Sequence, residues 1–100
     1  MAKNRNTKIS YYRRLLVAYL IADGINTVDG LLSSTGMPKR TLQEVISTLQ
    51  DFDIIVERHG GTKNKTYSIS NWSAIDSRWI KRNFEYVKNT ALNKEVNNHD

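Results

Sequence analysis

The chain has 100 residues, 39% hydrophobic and 25% charged, with one proline, five glycines and no cysteine. That length supports one core and not two, and the longest unbroken apolar run, Leu15 to Ala22, is too short to span a membrane. The absent cysteine excludes disulfides, thiolate metal sites and thiol nucleophiles; the net charge of +5 leaves a polyanionic partner and a merely solubilising surface as the two readings to separate.

The charge is segregated along the chain. Residues 1–40 carry a balance of +5 and residues 41–57 one of −4; Arg58, Lys63 and Lys65 follow without an acid, and residues 66–100 are close to neutral. The opening MAKNRNTKIS has the charge of a signal-peptide start. The apolar run behind it ends in Asp23-Gly24 with no small-residue cleavage site, so a cytoplasmic protein is expected. Residues 1–9 read as a basic flexible arm, residues 10–92 as the folded domain and residues 93–100 as a polar tail.

The first periodic segment runs from about Ser10 to Ala22. Tyr12, Leu15, Leu16, Tyr19 and Leu20 share one face, Arg13, Arg14 and Val17 fall elsewhere, and Asp23-Gly24 stops the helix. Thr27 is placed as the N-cap of a short helix carrying Val28, Leu31 and Leu32, and Gly36 stands where a left-handed cap ends it. Pro38 suits the first position of a third helix, 38–52, whose Leu42, Val45, Ile46, Leu49 and Phe52 form an apolar stripe. The opposite side, with Arg40, Gln43, Glu44, Ser47 and Asp51, is free to meet a partner.

Two β-branched and aromatic runs come next, Ile54–Arg58 and Thr66–Ser70, separated by a glycine-rich and then basic stretch. They read as a hairpin with a long tip, docked through Ile55, Tyr67 and Ile69 or their neighbours. Ser73 to Asp76 has the form of a capping box and opens a last helix, 73–92, whose stripe is Trp72, Ile75, Trp79, Ile80, Phe84, Val87 and Ala91. The stripe outruns what a domain of this size needs to close its core. Phe84, Val87 and Ala91 are therefore expected to pair two copies of the chain, with Tyr11 and Ala18 of the first helix beside them.

A helix, a short helix, a tight turn, a helix and a ribbon with a basic tip form an order that resembles the winged helix-turn-helix DNA-binding domain, in particular its small stand-alone prokaryotic members. The likeness is carried by Thr27 to Ile46, with the Thr35-Gly36-Met37 turn, and by Ile54 to Arg58 leading into the wing. It implies a mainly α fold with a small β-hairpin wing and, here, an extra C-terminal helix. It also implies that helix 38–52 enters the major groove of double-stranded DNA with Lys39, Arg40, Gln43 and Ser47 on bases or phosphates. Arg58, Lys63 and Lys65 of the wing would reach the backbone, and Lys3, Arg5 and Lys8 of the arm would join them on phosphates. The implied protein is a transcriptional regulator acting as a homodimer without a cofactor.

Other signals are weak. His59 and His99 have no further ligand at metal spacing, and neither a phosphate loop nor a hydrolase motif is present, so no metal, cofactor or catalysis is expected. A protein-interaction module on the same scaffold, using the surface around Glu44 and the late aromatic stripe, is the competing reading.

Overall fold

The structure, a computed structural model, describes the backbone of residues 2–93 and the side chains of residues 6–93. Its elements follow in the order α1 (Ala2–Ala22), α2 (Val28–Thr35), α3 (Lys39–Ser47), a 3-10 turn (Leu49–Phe52), β1 (Ile55–His59), β2 (Thr66–Asn71), α4 (Ser77–Arg82) and α5 (Phe84–Ala91). The mainly α architecture with one hairpin is the expected one.

The apolar run of α1 is the axis of the core. Leu15, Leu16, Val17, Ala18, Leu20 and Ile21 are all buried, because a helix apolar on every side must be covered on every side. α5, α3, α4, α2 and β2 supply the cover. Val17, expected off the apolar face, is wholly buried for this reason. α1 also starts earlier than expected. Residues 2–9, read as a flexible arm, are helical in backbone, since they contain no glycine or proline and each residue added to an existing helix gains a hydrogen bond.

α2 is bounded as its sequence demands. The Thr27 Oγ1 accepts a hydrogen bond from the Gly30 N–H at 3.0 Å, and Gly36, at φ 72°, donates its N–H to the Leu32 carbonyl at 2.8 Å. The buried Thr35 hydroxyl donates to the Leu31 carbonyl at 2.8 Å and accepts from the Met37 N–H at 3.2 Å, which turns the chain and drives Met37 into the core. Pro38 sits just before α3 rather than as its first residue. Leu42, Val45 and Ile46 anchor α3 inward.

The expected helix 38–52 is two pieces. The Thr48 hydroxyl donates to the Glu44 carbonyl at 2.7 Å, competing with the backbone ladder, and the chain tightens into the 3-10 turn before Asp53 takes the left-handed conformation at φ 62°. Leu49 and Ile54, both buried, close a small cluster with Ala18.

β1 and β2 pair antiparallel, with Arg58 opposite Tyr67 and His59 opposite Thr66. The ribbon is tied back by the Tyr67 N–H, which donates to the Asn26 carbonyl at 3.0 Å. Val56 pairs with Ile69 and Arg58 with Tyr67, so by strand alternation Val56 docks on the core with Tyr67 and Ile69 while Ile55 faces out; the register shifts between Ile55 and Val56, where Ser70 of β2 is the extra residue. Docking by the neighbours of Ile55, rather than by Ile55 itself, is the outcome.

The expected helix 73–92 is also divided. Ser73, at φ 56°, donates its N–H to Asn71 Oδ1 at 2.7 Å instead of capping, and Asp76 caps α4 by accepting from the Arg78 N–H at 2.9 Å. Asn83 breaks α4 from α5, its side-chain amide donating to the Trp79 carbonyl at 2.9 Å. The break re-aims the stripe. Val87 and Ala91 are fully buried against α1, and Phe84 is half-buried on Tyr19 at 5.6 Å between ring centres. The reading of Phe84, Val87 and Ala91 as an outward pairing surface is thereby corrected, and so is Ala18, which has no exposed surface.

Candidate nucleic-acid interface

α3 divides its side chains cleanly. Leu42, Val45 and Ile46 are held in the core, and this fixes the outward direction of Lys39, Arg40, Gln43 and Ser47, all exposed. Arg40, Gln43 and Ser47 fall at helical spacing on one side, with Lys39 in the first turn beside them. The Ser47 hydroxyl donates to the Glu44 carbonyl at 3.0 Å, leaving its oxygen lone pairs to face outward. Glu44 shares the exposed side.

The ribbon brings the second group. Gly60 and Gly61 open the tip, and at Gly60 the backbone has no alternative: φ is +83° and a Cβ would lie 2.5 Å from the Asn64 carbonyl oxygen. Around a Cβ on Gly61 there is open space. The tight Gly60 turn sets Lys63 and Lys65 at the far end of the ribbon, both exposed. Arg58 lies at the other end of the basic stretch with its guanidinium 5.7 Å from the Tyr67 ring centre, a cation on a ring face that restrains a flexible side chain in advance. None of Lys39, Arg40, Lys63 and Lys65 enters an ion pair among the described residues, where the pair that forms is Arg78 with Asp76 at 3.5 Å.

A groove of about 270 Å³ joins the two groups. Ser47 and Gln50 line its helix side and Ile55, Val56 and Arg58 its ribbon side. Ser47, at the end of the outward row, and Arg58, at the base of the ribbon tip, therefore border one depression, and Lys39, Arg40, Gln43, Lys63 and Lys65 lie outside its lining. Lys3 and Arg5 fall outside the described side chains.

Two residues that position this surface were not singled out in the sequence. The Arg14 Nε and Nη2 donate to the Thr48 Oγ1 at 3.1 and 2.8 Å, and its Nη1 donates to the Ser10 carbonyl and hydroxyl at 2.9 and 2.7 Å. One guanidinium thus fastens the exit of α3 to α1, where the negative end of the α3 dipole favours a cation. The available signal was a pair of arginines, Arg13 and Arg14, directly before the apolar run of the helix. Gln50, in the groove, carried no signal beyond its place on the open side of the helix.

A second, chemically different surface lies across α1. Tyr11 contacts Tyr12 and Phe52, and Tyr12 contacts Tyr86, with ring centres 5.6 to 5.7 Å apart. Lys8 Nζ lies 5.3 Å from the Tyr86 ring centre. Hydrogen bonding with Lys8 lowers the Tyr86 hydroxyl below the usual tyrosine range, while burial, and then neighbouring Tyr86, raises that of Tyr12. No helix of the described residues is long and apolar enough to cross a membrane, and no group of three or more metal-ligating side chains lies together among them.

A family described as "Winged helix-turn helix" matches residues 6–91. The fold is similar to the crystal structure of a DUF2131 family protein from Shewanella amazonensis SB2B, at a TM-score of 0.76 and 31% identity, over 83% of this chain and 89% of that one. No functionally curated protein matches the chain.

Proposed function

The chain belongs to the winged helix-turn-helix family, and from that premise we propose that it is a DNA-binding protein, a small transcriptional regulator acting in the cytoplasm by occupying its site. The observation that carries the reading is the row Lys39, Arg40, Gln43 and Ser47, held outward by a buried opposite face, with its Ser47 end sharing a groove with the restrained Arg58. α3 enters the major groove, where the Arg40 fork matches guanine O6 and N7 and the Gln43 amide matches adenine N6 and N7. Lys39 and Ser47 meet phosphate oxygens. Arg58, Lys63 and Lys65 take the phosphates on the ribbon side, with Lys3 and Arg5 adding to them from the start of α1. Glu44 narrows the choice of site, because its carboxylate accepts from a cytosine amine and is repelled elsewhere.

The output is binding, and the regulatory effect is the blocking or recruitment of polymerase at the occupied site. Selection of duplexes from a random pool by the full chain is expected to yield a common motif. Arg40→Ala and Gln43→Ala are each expected to relax it at one position while leaving the others in place. A pool that stays random through repeated selection rejects the sequence-reading role of α3.

A further inference from the structure

α4 is a short helix that buries Ile80 and so turns Trp79 outward, leaving its indole 37% exposed. The indole borders a groove of about 290 Å³ together with Tyr11 and Tyr12 of α1 and Asp76, with the buried Leu15 and Ile80 at its base. The rings of Tyr11 and Tyr12 stand at 80° to one another, their centres 5.6 Å apart, and so form a corner rather than a stack. Among the described residues that line the groove, Asp76 is the charged one and none is a lysine or arginine. Its carboxyl is held below the usual range by the Arg78 backbone N–H, which keeps it ionised at neutral pH.

We propose that the groove between α1 and the start of α4 binds a small quaternary ammonium compound, with Tyr11, Tyr12 and Trp79 around its methyl groups and Asp76 beside its charge. Three aromatic rings and a carboxylate about one apolar hollow are the surroundings such a cation prefers, since the rings attract it through their quadrupoles and its methyl groups bury against Leu15 and Ile80. A primary ammonium gives up more hydration there, and an anion is repelled by Asp76. The tyrosines of this side already draw a cation: Lys8 Nζ lies 6.0 Å from the Tyr12 ring centre and 5.3 Å from that of Tyr86, which stands outside the groove. The volume is at the lower end of the range for ligand pockets, about 300 to 1,000 Å³, and suits a head group without a long tail. Two side chains compete with the ligand. Arg78 Nε is 3.5 Å from Asp76 Oδ1, a weak pair because the arginine side chain is 84% exposed, and Lys8 shares the Tyr12 ring.

Titration of the full chain with choline, followed by two-dimensional proton–nitrogen NMR without DNA, tests this apart from any DNA reading. The comparison ligand is the neutral carbon isostere of choline, in which a tert-butyl group replaces the trimethylammonium. Choline is expected to shift the Trp79 indole signal with saturation near about 1 mM, and the isostere to bind at least about tenfold more weakly. Trp79→Ala is expected to weaken choline binding about tenfold and Trp79→Phe to recover most of the loss. Asp76→Asn, which keeps the α4 cap, is expected to weaken it about fivefold, whereas Arg78→Ala and Lys8→Met, by removing competitors, are each expected to tighten it about twofold. Absence of a saturable shift up to about 50 mM choline, equal binding of the isostere, or shifts confined to residues outside the groove overturns the proposal. A trimethyl-lysine peptide that binds more than about tenfold tighter than choline overturns the assignment to a small molecule.

Discussion

The face made by α3 and the ribbon and the face made by Tyr11, Tyr12, Phe52, Tyr86 and Trp79 are built on opposite rules. On the first, single polar side chains project from a backbone whose reverse side is buried, and each can be exchanged without disturbing its neighbours. On the second, the rings of Phe52, Tyr11, Tyr12 and Tyr86 lean on one another in a row, with Trp79 across a shared groove, so the surface acts as a unit. The difference teaches that one small core can present two kinds of contact. Substitutions on the first face should change what is bound one contact at a time, and substitutions on the second should disturb neighbouring rings together.

The widest separation the comparison predicts lies within α5. Val87→Asp buries an unpaired carboxylate against α1 and is expected to lower stability by about 3 kcal/mol or more, seen as loss of cooperative melting by circular dichroism. Its neighbour Tyr86→Glu is expected to leave the melt in place, and equal damage by both would erase the distinction between buried stripe and exposed face. On the α3 side, Arg40→Ala is expected to reduce binding to the selected duplex by about 1–3 kcal/mol with little change in binding to unrelated duplexes. A uniform loss over all sequences would move Arg40 from base reading to phosphate contact.

A smaller effect sharpens the account of the ribbon. Gly60→Ala forces a side chain into the positive-φ turn against the Asn64 carbonyl, and is expected to cost about 1 kcal/mol and to weaken DNA binding, whereas Gly61→Ala is expected to be neutral in both assays. The smallest effect is at α4. The Arg78 backbone N–H holds the Asp76 carboxyl below its usual range, so its pKa is lower folded than unfolded. Its contribution is therefore present at neutral pH and fades as the pH falls below about 4. The acid sensitivity of the α4 amide exchange rates is expected to diminish in Asp76→Ala.

Much of the fold was legible in the sequence because it rests on local chemistry. The Thr27 cap, the Gly36 turn and the ribbon with its glycine-led tip depend on residues within a few positions of one another. The errors arose where local signals compete with distant ones. Ser73 to Asp76 has the form of a capping box, but the Asn71 side chain captures the Ser73 N–H first and the start of α4 passes to Asp76. Helical periodicity in Phe84, Val87 and Ala91 marks an apolar stripe without saying what covers it, and the cover is α1 of the same chain. Ile55 shares its strand face with Glu57 and His59, and the distant pairing of Val56 with Ile69 is what decides that this face turns out. The row Lys39, Arg40, Gln43 and Ser47 could be placed because the opposite stripe fixes its direction. The Arg14 fastening could not, since Thr48 lies 34 residues away in the chain.

The central claim is that the polar face meets a polyanion through its projecting cations. Fluorescence anisotropy of the full chain with a labelled random-sequence duplex, titrated from about 50 to 200 mM salt, measures this directly. The account predicts an affinity that falls linearly in the logarithm of salt, with a slope about 2 units shallower when Lys63 and Lys65 are replaced by alanine. Binding that is absent at the lowest salt, or a slope the two substitutions leave unchanged, would contradict it.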